Sequence, residues 1–447
     1  MKEIVMAVDI GSVNITCLIA EVVDGIPKII GSGFSKSQGI RKGFISYIEQ
    51  AAHSLKSAVE DAKQMAGVDV NKAIVSVSGV YAKSRNSSGV VTVTSGEIGI
   101  NEIRRTIQAA LHNATIPAEY EVIHVLPYQF IVDDQDCDDP NGMSGERLKT
   151  NVHIVTLQKT ALENLKKVVK YAGIEIENIV LSSYASSIAV LSEDEKELGV
   201  VCIDIGGSTC DVMMYIGRSM CYDEVLKVGS SNITSDIAVV FNTPLNVAED
   251  LKVRYGKLIN LKDHDDNTTL QIPVVGGQEK PQVITFGDLS EVIYYRLAET
   301  FDFLHRMVEN NELRPQIGAG IVFTGGLMKL HGIEEFVEAF FRECLTRIAL
   351  PREIEGMPEE LRDPSYATAI GLVLYGSGGF TNYEFIPERK QLKVKKSKLF
   401  QGGEELLETQ ETPKSDFSGV FEDDLKKETE EKENAFVRAM KKFGNLF

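Results

Sequence analysis

Three observations make the sequence an α/β protein of two related halves. Two apolar strands each run into a loop of aspartate, glycine and hydroxyl residues, Asp9-Ile10-Gly11-Ser12 and Asp204-Ile205-Gly206-Gly207-Ser208-Thr209, with the two aspartates 195 positions apart. Each loop leads into further strand-like runs, so one strand–loop–strand unit opens both halves. At 447 residues the chain is too long for one ordinary domain, and a two-fold repeat of this size means duplicated domains, not a solenoid.

In chain order, residues 4–8 and 17–23 are apolar strands, and the turn Gly25-Ile26-Pro27 leads to a third at 28–31. Residues 48–65 have helical spacing, and 73–77 return to strand. From 84 to about 157 the texture changes, with short strands (90–94, 121–126, 152–156) around one helix (101–113) and an acidic loop at 133–139. This stretch, taken as 84–160, reads as an inserted α+β unit. Residues 161–172 are helical and 179–181 extended; the strand 200–205 opens the second half, followed by strands at 212–215 and 224–228. Helices are expected at 233–240, 245–255, 289–304, 333–341 and 366–374, with a buried strand at 321–323 before Thr324-Gly325-Gly326-Leu327. Beyond 380 polar and charged residues dominate, too few of them apolar to build a core, so 381–432 reads as a disordered linker before an amphipathic end at 433–447.

Composition narrows the partners. A net charge of −18 and a pI near 5.0 repel phosphate backbones and argue against nucleic acid. The same charge repels anionic lipid, so membrane attachment needs a local segment of opposite character. Six scattered cysteines without a Cys-x-x-Cys pair fit reduced, structural thiols; a redox or metal role is the weaker reading. The N-terminus has no basic lead before an uncharged apolar stretch, and nowhere do about 20 apolar residues run together. A soluble, cytoplasmic body is expected.

Glycine lets a backbone approach a ligand, and successive N–H groups at such a turn form an anion-binding concavity. An aspartate at a strand end beside phosphate oxygens suits Mg²⁺ held mainly through water, which makes Asp9 and Asp204 the candidate metal residues. One such hairpin is as well explained by turn chemistry; two of them, one at the start of each half, fit a nucleotide clamped between lobes. Paired glycines at 325–326 would admit a flat ring or a phosphate, or serve a plain strand-to-helix turn. Glu249 and Lys252 share a helix face, which suits either a ribose contact or an exposed ion pair.

With these four elements in this order, the chain resembles the actin, sugar-kinase and Hsp70 superfamily. Val122–Pro127, Met143-Ser144-Gly145 with Arg147, Val152-His153-Ile154-Val155-Thr156, Ala185-Ser186-Ser187, the run 193–199, Ser235-Asp236-Ile237-Ala238, Pro244, Ala248-Glu249 with Lys252, Tyr255-Gly256, and Ala319-Gly320-Ile321-Val322 with Thr324-Gly325-Gly326 are similar to the FtsA family of cell-division proteins, over about residues 4–378. That resemblance implies an actin-like two-lobed fold of duplicated ribonuclease-H-like domains, in which an inserted subdomain 1C stands in place of 1B. Subdomain 1A would take 1–83 and 161–198, 1C 84–160, 2A 199–228 and 312–380, and 2B 229–311. It implies ATP or ADP with Mg²⁺ in the cleft, held by Asp9, Gly11, Ser12 and Asn14 in one loop and by Asp204, Gly206, Gly207, Ser208 and Thr209 in the other. Gly229, Glu249, Lys252, Gly325, Gly326 and Met328 would complete the nucleotide site. Two departures stand out: Ser208 replaces the usual third glycine, and Ser230-Ser231 follow Gly229. No aspartate is assignable as the general base that a sugar kinase needs, so hydrolysis would be a slow switch at most.

The resemblance also implies homopolymer filaments, recruitment of the C-terminal peptide of FtsZ to 229–311 with Arg296 as a contact (a local ion pair being the alternative), and contacts with later division proteins. At the end of the chain Phe436, Met440, Phe443 and Phe447 recur four, three and four apart beside Val437, with Lys441 and Lys442 on the other face. A basic amphipathic helix after an acidic linker is the pattern of an interfacial anchor, although docking onto the body or a partner would also use such a face. The expected place is the inner face of the cell membrane at the division site. A small-molecule kinase and an Hsp70-like chaperone are the competing readings; the tail and the absent base count against the first, and the charged stretch after residue 380 against the second.

Overall fold

The computed structural model describes residues 2–258, 268–276 and 281–395. The first half opens with β1 (Lys2–Ile10), β2 (Asn14–Val23) and β3 (Ile26–Lys36), then α1 (Ile48–Ala66) and β4 (Lys72–Val77). The insertion follows as β5 (Ala82–Thr92), α2 (Ile100–Asn113), β6 (Tyr120–Val132) and β7 (Arg147–Gln158). The first half resumes with α3 (Lys159–Tyr171), β8 (Glu175–Leu181) and α4 (Ser182–Val190), and α5 (Glu193–Leu198) connects it to the second. There β9 (Val200–Ile205), β10 (Cys210–Ile216) and β11 (Ser219–Leu226) precede α6 (Ser230–Val240), α7 (Leu245–Tyr255) and α8 (Phe286–Glu309). Then come β12 (Ile321–Thr324), α9 (Ile333–Phe340), β13 (Thr346–Ile348) and α10 (Ala367–Gly376).

The duplication is topological. One sheet has the order β8-β4-β1-β2-β3 and the other β13-β12-β9-β10-β11. In each, three strands form an antiparallel meander and two more add in parallel on the side of the first strand. The central strands are buried on both faces, as helix-covered sheets require, and therefore read as continuous apolar runs such as Val5–Val8 and Val200–Ile203. Small residues let layers approach: on Gly371 of α10 a Cβ would lie 1.8 Å from the Ala185 carbonyl of α4.

The insertion has its own sheet and its own core, in which Ile103 and Ile107 of α2 pack on Val125, Phe130, Leu148, Val152 and Ile154. Two further strands join it from the far end of the chain, β14 (Glu384–Ile386) and β15 (Gln391–Lys393), in the order β15-β14-β6-β7-β5. This corrects the expected start of the linker at 381. Tyr383 and Phe385 alternate into the insertion's core while Glu384 points to the other face, a period-2 pattern too short to stand out from composition. The remainder of the expected linker, 396–432, and the tail residues Phe436, Val437, Met440, Lys441, Lys442, Phe443 and Phe447 lie outside the described residues.

Glu384 fastens this junction. It is fully buried, 2.6 Å from His124 Nδ1 of β6, and it accepts the hydroxyl of Tyr375 of α10 at 3.0 Å. The Leu181 amide donates to His124 Nε2, which leaves the ring proton on Nδ1 to be donated to Glu384. The Lys393 ammonium sits 3.8 Å from the Tyr375 ring centre. Insertion, first half and returning segment thus meet on one carboxylate. Glu384→Ala should lower unfolding free energy by about 3–5 kcal/mol, because it strands the buried groups that face it; urea denaturation of the variant beside wild type measures this.

Candidate functional site

The two loops meet at the boundary of the halves. In the first, Asp9 ends β1, and its carboxylate accepts the Ser76 hydroxyl of β4 at 2.8 Å, while Ser76 accepts the Ile10 amide at 2.8 Å. In the second, the first turn of α6 grips the loop: the Ser230 amide donates to Gly206 O at 3.0 Å and the Ser231 amide to Gly207 O at 2.8 Å. In a trans peptide the carbonyl and the next N–H point in opposite directions. The amides of Gly207 and Ser208 therefore point away from α6, and among the described residues neither has a protein acceptor. The same holds for the amides of Gly11 and Ser12 in the first loop. Each half thus presents two consecutive free amides, the geometry of an anion nest.

The loops touch. A Cβ on Gly207 would fall 2.4 Å from Val13 Cγ2, so a side chain there would push the exposed Val13 aside. Gly325 has φ +95 and stands so close to the second strand that a Cβ would meet Asp204 Oδ1 at 2.4 Å. Ser208, in place of the usual glycine, is accommodated with 9% of its surface exposed. Ser230 and Ser231 are the residues whose amides hold the loop, so the second departure from the family pattern leaves that grip in place.

The electrostatics are one-sided. Burial pushes the Asp9 carboxyl up to about 6, with Ser76 opposing and the Asp204 charge adding to the rise. Burial likewise takes Asp204 to about 6 against the help of Ser186. A third acid was not expected from the sequence: Asp211 stands opposite Asp204 in the β9–β10 register and accepts the Thr209 hydroxyl at 3.0 Å. Burial, then the Asp204 charge, push it to about 8. Counting back across the short loop 206–209 would have found it. Ser76 carries no such signal, because its partner is 67 positions away. Among the described residues no lysine or arginine is hydrogen-bonded to any of these acids, and no three side chains form a metal-chelating cluster. Hard oxygen donors without a countercharge fit a divalent cation held through water and a ligand's own oxygens.

The remaining expected residues fall in different places. Lys252 is nearly buried, and its ammonium donates to Ser230 O at 3.2 Å, Thr234 Oγ1 at 2.9 Å and Glu249 Oε2 at 2.8 Å. An ammonium has three donors, so Lys252 has none left and instead ties α7 to the start of α6. Glu249 keeps about half its side chain exposed. Gly326 is exposed beside the cleft residues, Gly229 caps α6 against the loop, Asn14 is exposed at the start of β2, and Met328 is packed in the second core. Arg296 on α8 is engaged by Asp236, with one bond of 3.0 Å, and by Glu299, the local ion pair that was the alternative to a peptide contact. A cavity of about 480 Å³ lies elsewhere, between α3, β8 and the segment after β14, and touches neither loop. The cleft chemistry, not cavity size, marks the site.

Comparison with known proteins agrees with this geometry. The family model "Cell division protein FtsA" matches residues 201–371, and the model of the SHS2 domain inserted in that family matches 79–156. The chain is 38% identical over 411 residues to the cell division protein FtsA of Helicobacter pylori, covering 86% of this chain and 84% of that one. It is 31% identical over 398 residues to that of Escherichia coli K12, covering 87% and 94%. Among solved structures, a PilM–PilN type IV pilus biogenesis complex superposes with TM-score 0.61 at 17% identity, covering 83% of this chain and 98% of that chain. MreB5 of Spiroplasma citri bound to ADP gives 0.52 at 16% identity, covering 83% and 96%. The fold is the actin-like one.

A carboxyl whose pKa is raised on folding costs stability once it ionises. For Asp9 and Asp204 that loss sets in as pH rises from the ordinary 3.8 to about 6 and is constant above. Asp9→Asn and Asp204→Asn should therefore each stabilise the ligand-free protein at pH 7.5 by up to about 3 kcal/mol, with most of the gain gone near pH 4. Denaturation curves at the two pH values check the sign.

Proposed function

The chain belongs to the FtsA family of cell division proteins, and from that premise we propose that it binds ATP or ADP with Mg²⁺ between its halves, polymerises, and tethers FtsZ filaments to the inner face of the cell membrane at the division site. The observation that carries the nucleotide reading is the pair of free-amide loops, one from each half, flanked by Asp9 and Asp204. The amides of Gly11, Ser12, Gly207 and Ser208 would take phosphate oxygens, and Asp9 and Asp204 the water shell of the cation. Glu249 would reach the ribose, and Gly325 with Gly326 would admit the adenosine. When bound, the cation offsets charge between the phosphates and the two aspartates. This chain's own part is to orient those groups and close loops over them.

Metabolic phosphoryl transfer is not supported. The one extra acid of the cleft, Asp211, is held near 8 and so keeps its proton at neutral pH, which makes it a poor base. Hydrolysis at a switch-like rate fits that environment. The membrane reading rests on the tail: a chain with net charge −18 is repelled as a whole by anionic lipid, whereas Arg438, Lys441 and Lys442 beside Phe436, Met440, Phe443 and Phe447 are attracted to it. One such helix binds weakly, and a filament that presents many gains by avidity. An acidic FtsZ peptide at Arg296 would have to displace the exposed Glu299, which makes that contact competitive. Recruitment of later division proteins falls to the inserted unit.

Electron microscopy of the protein on an anionic lipid monolayer with Mg-ATP tests the whole reading. Filaments on the lipid are expected. Gly325→Ala should weaken binding of a fluorescent ADP analogue at least about tenfold, because the Cβ would collide with Asp204. Removal of the residues after Asn434 should abolish lipid binding and leave nucleotide affinity unchanged. A bare monolayer with monomeric protein in Mg-ATP would overturn the filament reading.

A further inference from the structure

A second contact between the halves lies on β11, the outer strand of the second sheet. An edge strand leaves alternate backbone groups unpaired. Here side chains of the insertion meet that edge. Ser84 Oγ donates to Asp223 O at 3.2 Å, and Asn86 Nδ2 donates to Cys221 O at 3.0 Å. Ser84 and Asn86 are alternate residues of β5, as Cys221 and Asp223 are of β11, so one face of one edge serves one row of carbonyls on the other.

His153 completes the contact. It stands opposite Asn86 in the β5–β7 register, with Nδ1 2.7 Å from Asn86 Oδ1 and Nε2 2.7 Å from Asp223 Oδ1. Because the Asn86 amide nitrogen faces a carbonyl, its oxygen faces the ring and can only accept. The Asp223 carboxylate accepts as well. The ring is thus held between the Asn86 and Asp223 oxygens, and the His153 and Asp223 side chains are only 2% and 5% exposed.

The contact is mechanically connected at both ends. The insertion is fixed to the first half by the Glu384 cluster and by β7 running directly into α3. On the other side β11 pairs with β10, and Val225, two positions from Asp223, is opposite Asp211 beside the second loop. Gly79, where the insertion begins, abuts both: a Cβ there would lie 2.4 Å from Val225 Cγ2 and 2.7 Å from Asp211 Oδ1. Rotation of the second half against the first has to break these bonds or carry the insertion with it.

We propose that the His153–Asp223 pair, with Asn86 and Ser84, is a latch between the halves that couples the second loop to the inserted unit and sets how readily the cleft opens. The part of this that concerns nucleotide release rests on the nucleotide reading above. Opening is a hinge or shear motion between two packed bodies, and a buried hydrogen-bonded pair across them biases which state is populated. Removing one partner leaves the other buried and unpaired in the contact, which favours the separated state.

Asp223→Asn, His153→Gln and the double variant, each in the full chain, test this by hydrogen exchange and by release of a fluorescent ADP analogue with Mg²⁺. Each single substitution should speed exchange at 219–226 and also at 204–209, and should change ADP release by about tenfold. The double variant, in which two amides can pair with each other so that neither buried group is left unpaired, should return toward wild type, which also covers a single variant that folds poorly. Faster exchange confined to 219–226, with 204–209 and ADP release as in wild type, would overturn the latch. If wild type binds no ADP, the nucleotide reading has failed, and the latch is then decided by exchange at 204–209 in the ligand-free protein: acceleration in the singles sustains it, no change overturns it.

Discussion

The close approach of two hairpin loops across the boundary of the halves is the constraint on which the rest of the structure depends. Val13 and position 207 lie so close that a Cβ at 207 would meet the Val13 side chain at 2.4 Å. That approach sets two pairs of amides and two half-buried aspartates at one place, and among the described residues no protein acceptor meets the amides and no lysine or arginine is hydrogen-bonded to the acids. Such an arrangement is unfavourable in an empty cleft, as the raised carboxyl pKa values record. It is tolerated because two five-stranded sheets, each with a large core of its own, hold the loops from behind.

The supports of each loop differ. The first is braced from within its own sheet, by Ser76 of the neighbouring strand. The second is held by the start of α6, whose first amides take the loop carbonyls and so turn its N–H groups outward. Lys252 then secures α6 by bonding Ser230 O, Thr234 and Glu249 together. Lys252, expected from the sequence among the nucleotide residues, thus fixes the helix that fixes the loop. This division also explains why Ser230 and Ser231 are tolerated where the family usually has glycine: it is their backbone, not their side chains, that the loop uses.

The inserted unit is bound to both halves by polar groups that lie far apart in the chain. Glu384 ties it to the first half and to the returning segment; His153 and Asn86 tie it to the edge strand of the second. Buried polar contacts of this kind contribute little net stability compared with apolar packing, but they are costly to leave half-made. They therefore specify which surfaces meet.

Local patterning determined much of this protein from its sequence. Apolar periodicity placed β9 and α7 to the residue, and most other elements to within a few residues, because short-range sterics and burial of one face act along the chain. The repeated aspartate–glycine loop disclosed the duplication and both loops of the site, since a tight turn and a close backbone approach each demand glycine locally. Tertiary structure alone decided the rest. Asp211 became a cleft acid only through strand register, and the Lys252 ammonium meets Ser230 O, Thr234 and Glu249 only because the fold brings α6 and α7 together. Residues 384–386 and 391–393 became strands only because a distant sheet offered them an edge. Pairings over 67, 70 and 260 positions leave no trace in the spacing of neighbours, for they are set by where the folded layers bring side chains together.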